Sequence, residues 1–411
     1  MDPGQPEEQV DFERITQLLR EALHAPEGAE GKPRLYVAGQ DEEGLFIVVL
    51  QDGENTYQLK VPDLAVLSSI AGPKLKPRRT DPELALPFRP QSWSPPPVRE
   101  HPASGSAVSL IRAGADAQRM ENIEAVRGQA TQAALFTSRG PTREAQGMEY
   151  KAFNEDAAVV WLRVGDAATG KPEISGVGAF DQAGGEGSTE NHGAASDAAA
   201  RAFERNLEAI GAGGDPEQQL RRAVAQAGEA VRSLGVGAMT TFAAAVVVAQ
   251  PEGGSWKGTA HVAVVGDSRA ILFAADGTMK EKTKLHNMGA LVAAGEIPDA
   301  HPSMALRVAN ALSRSVGAEE ENPDLYRWEL APGDRIAVFT DGLGDAHEFE
   351  QQPTGTWHAD RCAEEQARVM KYPPNASEAV ASLFGYALDQ MVQGYGKPDN
   401  IGVAVVDFRR S

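Results

Sequence analysis

Beyond about residue 135 the chain is a succession of short apolar runs, AAVVWLRV, ISGVGAF, FAAAVVVA, HVAVVG, RIAVFT and IGVAVVDF, each closed by Gly, Pro, Asp or Asn. Short apolar runs bounded in this way read as strands. Between them the spacing changes. Residues 194–210 and 216–234 repeat Ala, Leu, Phe and Val at helical intervals, and 375–392 does the same. The pattern also predicts helices over 114–130, 286–296 and 305–315. AAVVWLRV and ISGVGAF flank the turn-rich GDAATGKP and form a predicted hairpin, and LYRWEL with RIAVFT forms another across Pro332-Gly333-Asp334.

The first hundred residues have a different texture. Residues 9–24 place Phe12, Ile15, Leu19, Ala22 and Leu23 on one helical face, and RLYVAG, GLFIVVL and TYQLKV follow as three predicted strands. From Pro73 to Pro102 there are nine prolines, a density that excludes helix interiors and central strands. The predicted organisation is a small α+β module over 1–72, a proline-rich linker over 73–104 and a large unit over 105–411.

Composition narrows the function classes. An apolar content of 42% supports a substantial core, and a net charge of −19 disfavours nucleic acid or an anionic membrane as the main partner. The single cysteine, Cys362, has no internal disulfide partner, and the first residues lack the basic and apolar regions of a secretory signal. FAAAVVVA is too short to span a bilayer. A cytoplasmic protein is expected. Nothing in the sequence fixes its oligomeric state.

Carboxylates mark the strand ends. Asp181 follows ISGVGAF, Asp341 follows RIAVFT, Asp399 precedes IGVAVVDF, Glu155 and Asp156 open AAVVWLRV, and Asp267 follows HVAVVG. Strand termini converge easily, and that much negative charge in one place calls for a cation. Oxygen donors without nearby Cys or His favour Mg²⁺ or Mn²⁺. A pair of such ions sharing one water supplies a hydroxide nucleophile for phosphoester hydrolysis.

The order of the blocks carries more information than any one of them. NED at 154–156, FDQAGG at 180–185, GAMTT at 237–241, GDSR at 266–269, TDGLGD at 340–345 and DN at 399–400 resemble the signature blocks of the metal-dependent type-2C serine/threonine protein phosphatases, over roughly residues 135–408. The resemblance implies a four-layer α/β/β/α sandwich of two antiparallel sheets flanked by helix pairs, thus an α+β chain. It implies Asp181 as the carboxylate bridging two ions. Asp341 and Asp399 would be direct ligands of one ion and the Gln182 carbonyl a ligand of the other, with Glu155 and Asp156 acting through water. Asp267 and Asp345 match acidic residues that bind a third ion in bacterial members. Lys151 stands where the family has a phosphate-gripping arginine, and a phosphorylated protein is the implied substrate.

This chain departs from the family pattern at two points. Gln182 and Ala183 replace the usual glycine and the histidine or methionine after the bridging aspartate, so a histidine acid is absent there. His192, the nearest histidine along the chain, reads as an exposed loop residue, and His286 and His301 are assigned no role. Lys151 supplies charge without a bidentate fork. Gly165–Lys171, GDAATGK, imitates a nucleotide phosphate loop, but Pro172 stands where Ser or Thr belongs, so the segment reads as a turn. Two readings stay open: a working Mg²⁺- or Mn²⁺-dependent protein phosphatase, and a catalytically impaired relative serving as a binding or regulatory module.

Overall fold

The computed structural model describes residues 34–40, 46–52, 55–61, 95–103, 108–112, 122–140, 153–183, 192–235, 237–297, 311–318, 321–344, 366–371, 373–393 and 399–409. The expected helix over 9–24 lies outside these residues. The chain divides into two compact units, Met1–Ala85 and Leu86–Ser411. In the first, β1 (Arg34–Gln40), β2 (Phe46–Asp52) and β3 (Asn55–Val61) form a three-stranded antiparallel sheet in sequence order.

The second unit contains two seven-stranded sheets. In chain order its strands are β4 (Val98–Pro102), β5 (Val108–Arg112), β6 (Ile123–Arg127), β7 (Thr131–Ser138), β8 (Asp156–Arg163), β9 (Glu173–Ala183), β10 (Met239–Thr240), β11 (Phe242–Glu252), β12 (Ser255–Val265), β13 (Arg269–Phe273), β14 (Met279–Lys282), β15 (Asp324–Leu330), β16 (Arg335–Phe339) and β17 (Ile401–Phe408). Its helices are α1 (Ala194–Gly211), α2 (Pro216–Arg232), α3 (Met288–Ala293), the single turn α4 (Asp341–Gly344) and α5 (Ala376–Gln393). The first sheet runs β15-β12-β11-β9-β8-β5, with β10 paired to β9, and the second runs β14-β13-β16-β17-β7-β6-β4.

Alternation along β8 shows the layering. Ala157, Val159 and Trp161 point to one face, where they pack with Phe203, Leu207 and Val224 of α1 and α2. Ala158, Val160 and Leu162 point to the other, where they share a core with β7, β16, β17 and α5. The result is helix pair, sheet, sheet, helix, the α+β sandwich expected.

Local chemistry explains the outer layer. α1 buries Ala195, Ala199, Ala202, Phe203, Asn206, Leu207 and Ile210 on one face. α2 begins with Asp215, whose Oδ1 accepts from Gln218 N at 2.7 Å, followed by Pro216 in the first turn. The GDAATGKP segment is a turn closed by an Asp166–Lys171 bridge, as read from the sequence.

Three expectations need correction. The helix predicted over 114–130 does not form at its C-terminal end: residues 123–127 are β6, and β7 follows directly, buried along its whole length. In β6 the apolar Ile123, Ala125 and Val126 are interrupted by Glu124, a spacing that periodicity over so few residues does not separate from a helical face. The linker also ends sooner than 104, because Val98–Pro102 pairs with β6. That pairing is parallel, whereas all others in the two sheets are antiparallel, and it places Pro102 on a sheet edge, where a missing N–H is tolerated. Finally, the 286–296 helix shortens to α3, and 311–315 is not helical, because its backbone pairs with 286–288 through Ser313 N to His286 O and Met288 N to Ala311 O.

Candidate metal and phosphate site

Adjacent strands bring the acidic residues together. Asp156 opens β8 and is the direct cross-strand partner of Asp181 near the end of β9. Asp341 begins α4, separated from the end of β16 by Thr340, Asp399 lies two residues before the start of β17, and Asp267 lies in the turn between β12 and β13. Asp156, Asp267 and Asp399 are buried, while Asp181 and Asp341 retain partial exposure.

Their electrostatics identify one cluster. Burial pushes the Asp181 carboxyl well above its ordinary value, and repulsion from Asp341, Asp156, Asp399 and Asp267 pushes it further. Burial likewise raises Asp156, as do Asp341 and Asp399, against lowering contributions from the Thr340 hydroxyl and from the neighbouring Asp181 carboxyl. Asp156 Oδ2 accepts from Thr340 Oγ1 at 2.7 Å, but Oδ1 is buried and accepts no hydrogen bond. Such an oxygen is costly unless something positive meets it. Among the described residues no three His, Cys, Asp or Glu side chains already form an ion-holding set. The carboxylates therefore share one electrostatic site without standing as a closed cage.

Polar residues whose roles sequence reasoning missed hold this backbone in place. Thr240 Oγ1 and Thr241 N both donate to the Asp181 carbonyl, at 2.7 and 2.8 Å, and Thr241 Oγ1 accepts from Asp181 N at 2.9 Å. Asn400 clamps the NED segment: its Oδ1 accepts from Glu155 N and its Nδ2 donates to Phe153 O, each at 2.9 Å. Asn154 Nδ2 donates to Thr137 Oγ1 at 3.0 Å, and its Oδ1 accepts from Asp156 N at 3.2 Å. Gly342 is fixed by close approach, since a Cβ there would lie 1.8 Å from the Asn400 carbonyl oxygen. Gly140, at φ +81°, meets Asp399 O in the same way at 2.2 Å. Asn154, Gly342 and Asn400 share short blocks with the carboxylates, and Thr240 and Thr241 lie in the GAMTT block, whereas Gly140 lies in none of them.

Gln182 sits in β9 opposite Thr240, so its backbone is ordinary extended strand. Its side-chain Oε1 accepts from Ala195 N at 3.1 Å, serving the start of α1, where the Gly193 cap has no side chain to offer. An apolar support lies behind it: Phe180 and Phe242 meet edge to face at 5.0 Å, with Phe203 of α1 about them. His192 departs from the exposed-loop expectation. Its ring stacks on Phe153 at 3.8 Å and 15°, and Nδ1 lies 3.3 Å from Glu155 Oε1. His286 is buried, with its pKa lowered by burial and by Arg314 against the opposing pull of Asp324. Lys151, Asp345 and His301 lie outside the described residues.

No protein-family model matches the chain, and no curated protein matches it. Among solved structures it is similar to the serine/threonine phosphatase PstP/Ppp of Mycobacterium tuberculosis, at 22% identity over 69% of this chain and 100% of that one, with a TM-score of 0.44. It is also similar to the catalytic domain of PstP in complex with two manganese ions, at 23% identity over 68% and 99%, with a TM-score of 0.45. Stp1 of Staphylococcus aureus is 19% identical over 69% and 97%, with a TM-score of 0.47. Likeness at this level does not carry function across, so the chemistry rests on the residues of this chain. Among the described residues no helix is long and apolar enough to cross a membrane.

Proposed function

We propose that this chain is a Mg²⁺- or Mn²⁺-dependent phosphatase acting on phosphoserine or phosphothreonine in proteins. The observation that carries the reading is the carboxylate cluster: five aspartates from different strand ends, two with pKa values raised by burial and mutual repulsion, and one buried oxygen without a hydrogen bond. Asp156 Oδ1 and the all-oxygen donor set fit a hard divalent cation. Asp181, Asp341 and Asp399 would hold two such ions directly with the Gln182 carbonyl, Glu155 and Asp156 would act through water, and Asp267 and Asp345 would serve a third. The backbones of Asp156 and Asp181 are held by Asn154, Thr240 and Thr241, and the Asp399 carbonyl lies against Gly140, which supports a site whose carboxylates keep their places. When bound, the ions lower the pKa of water toward neutrality and offset charge on the phosphoryl oxygens.

The chain's own residues contribute position and charge. Asp181 sets the centre of the site through its doubly hydrogen-bonded carbonyl, and Asn400 fixes Glu155 beside it. Thr340 donates to Asp156 while accepting from Gly402 N at 2.9 Å, so the Asp156 carboxylate keeps one orientation. Lys151, four residues before Glu155 in sequence, supplies the positive charge for the substrate phosphate. The catalytically impaired alternative is disfavoured because a binding module has no use for mutually repelling carboxylates.

Turnover of p-nitrophenyl phosphate and of a phosphothreonine peptide, with added Mn²⁺ and with chelator, tests the reading. Activity dependent on Mn²⁺ and abolished by chelator is expected. Equal turnover in metal-free protein would overturn it.

A further inference from the structure

The turn that carries Asp267 is held at Ser268, whose Oγ lies 2.6 Å from Thr241 Oγ1, and at Gly266, which one histidine from a later segment engages twice. Gly266, at φ +99°, donates its N–H to His286 Nδ1 at 3.2 Å, and its carbonyl accepts the His286 N–H at 2.9 Å. Both backbone polar groups of Gly266, the residue before Asp267, are thus satisfied by a single residue. Because Nδ1 accepts, the ring proton sits on Nε2, which faces Asp324 Oδ2 at 3.3 Å without hydrogen-bond alignment. Asp324 is itself fixed: its Oδ1 accepts from Arg314 Nη1 at 2.9 Å, and it opens β15, paired with Val264 of β12.

The excursion between β14 and β15 is tied to the cluster a second time. Val316 exchanges backbone hydrogen bonds with Thr240, at 3.0 and 2.8 Å, and Thr240 holds the Asp181 carbonyl. One tie runs from this excursion to Asp267 and the other to Asp181.

We infer that His286 is a positioning residue for the Asp267 turn, setting how tightly the cation that Asp267 serves is held and linking residues 283–288 and 311–316 to the metal centre. This inference rests on the proposed metal site. It also gives a role to a histidine that sequence reading left without one. Residues that orient a metal-binding group through one intermediate contact typically change metal affinity by about 10- to 100-fold when removed.

Two amides of similar polarity separate positioning from bulk packing. In His286→Asn the side-chain oxygen occupies about the place of Nδ1 and can accept from Gly266 N. In His286→Gln the oxygen sits about one bond further out, near Nε2, and does not. Mn²⁺ binding to the full chain is measured by calorimetry, alongside the Mn²⁺ concentration giving half-maximal turnover. The expected result is an Asn variant within about threefold of the original and a Gln variant at least about tenfold weaker for its weakest ion, with kcat recovering at high Mn²⁺. A purely packing role predicts the reverse order, since Gln matches the volume of His better. Equal affinities, or a Gln variant that binds as well as the Asn variant, overturn the inference while leaving the metal site standing. Absence of Mn²⁺ binding by the original chain overturns both.

Discussion

Replacing Asp181 by Asn should make the metal-free protein more stable while removing its activity. In the structure Asp181 is raised first by burial and then by four other aspartates. Two unit charges about 6 Å apart, at an effective dielectric constant of about 20, repel by about 3 kcal/mol. Protons taken up by the cluster already relieve part of this, so a net gain of about 1–3 kcal/mol is expected from the substitution, or roughly 2–6 °C in melting temperature. The sign follows from linkage. A carboxyl whose folded pKa lies above its ordinary value of 3.8 binds its proton more tightly in the folded chain, so stability falls as pH rises from about 4 through the folded value and stays low above it. The advantage of Asp181→Asn should accordingly be small near pH 4 and largest near pH 8. Thermal unfolding in chelator, followed by circular dichroism across that range, measures it. An unchanged or lowered melting temperature at pH 8, or a gain independent of pH, would refute the account of a self-repelling cluster.

Other consequences follow from separate parts of the molecule. The buried Glu173 carboxylate accepts from Gln129 N, Ala130 N, Thr131 N and Thr131 Oγ1 at 2.7–3.0 Å and so ties the first sheet to the β6–β7 turn; Glu173→Leu should cost about 3–5 kcal/mol in denaturant unfolding, since it strands several buried donors. A fragment beginning at residue 86 should fold and turn over p-nitrophenyl phosphate at the full-length rate, whereas one beginning at 105 loses β4, leaves the edge of β6 unpaired and should melt at lower temperature. Lys151→Arg should lower the Michaelis constant for a phosphopeptide through a bidentate grip, and an unchanged constant would place Lys151 away from the phosphate.

The strand-and-helix order of the second unit was readable wherever a short apolar run is closed by turn residues, as at β8, β9, β16 and β17, or an apolar face repeats at helical spacing, as at α1 and α2. The predicted span 194–210 falls within α1, and the hairpin of β8 and β9 with its turn at 167–170 formed as the two apolar runs flanking GDAATGKP implied. Reading failed where a buried strand carries polar residues: β7 is TQAALFTS, with Thr131, Gln132, Thr137 and Ser138 buried, and the apolar positions of β6, interrupted by Glu124, imitate helical spacing. The parallel β4–β6 pairing was hidden by proline content, which excludes central strands but not edges. At the site the carboxylates were visible as residue types at strand ends. Their supports were not, because the hydrogen bonds of Thr340 to Asp156 and of Asn400 to Phe153 join residues 184 and 247 positions apart. No local pattern encodes contacts at that distance. His192 shows the same limit, since only the folded chain places it on Phe153 and beside Glu155.

The central claim is that Asp181, Asp341 and Asp399 hold divalent ions that serve phosphoester hydrolysis. Anomalous diffraction at the manganese edge, from crystals of the full chain grown with Mn²⁺, tests it most directly. The account predicts two peaks about 3.5–4 Å apart, with an Asp181 oxygen between them and Asp341 and Asp399 on one of the two. An anomalous map without a peak beside Asp181, or with manganese bound only elsewhere on the chain, would contradict it.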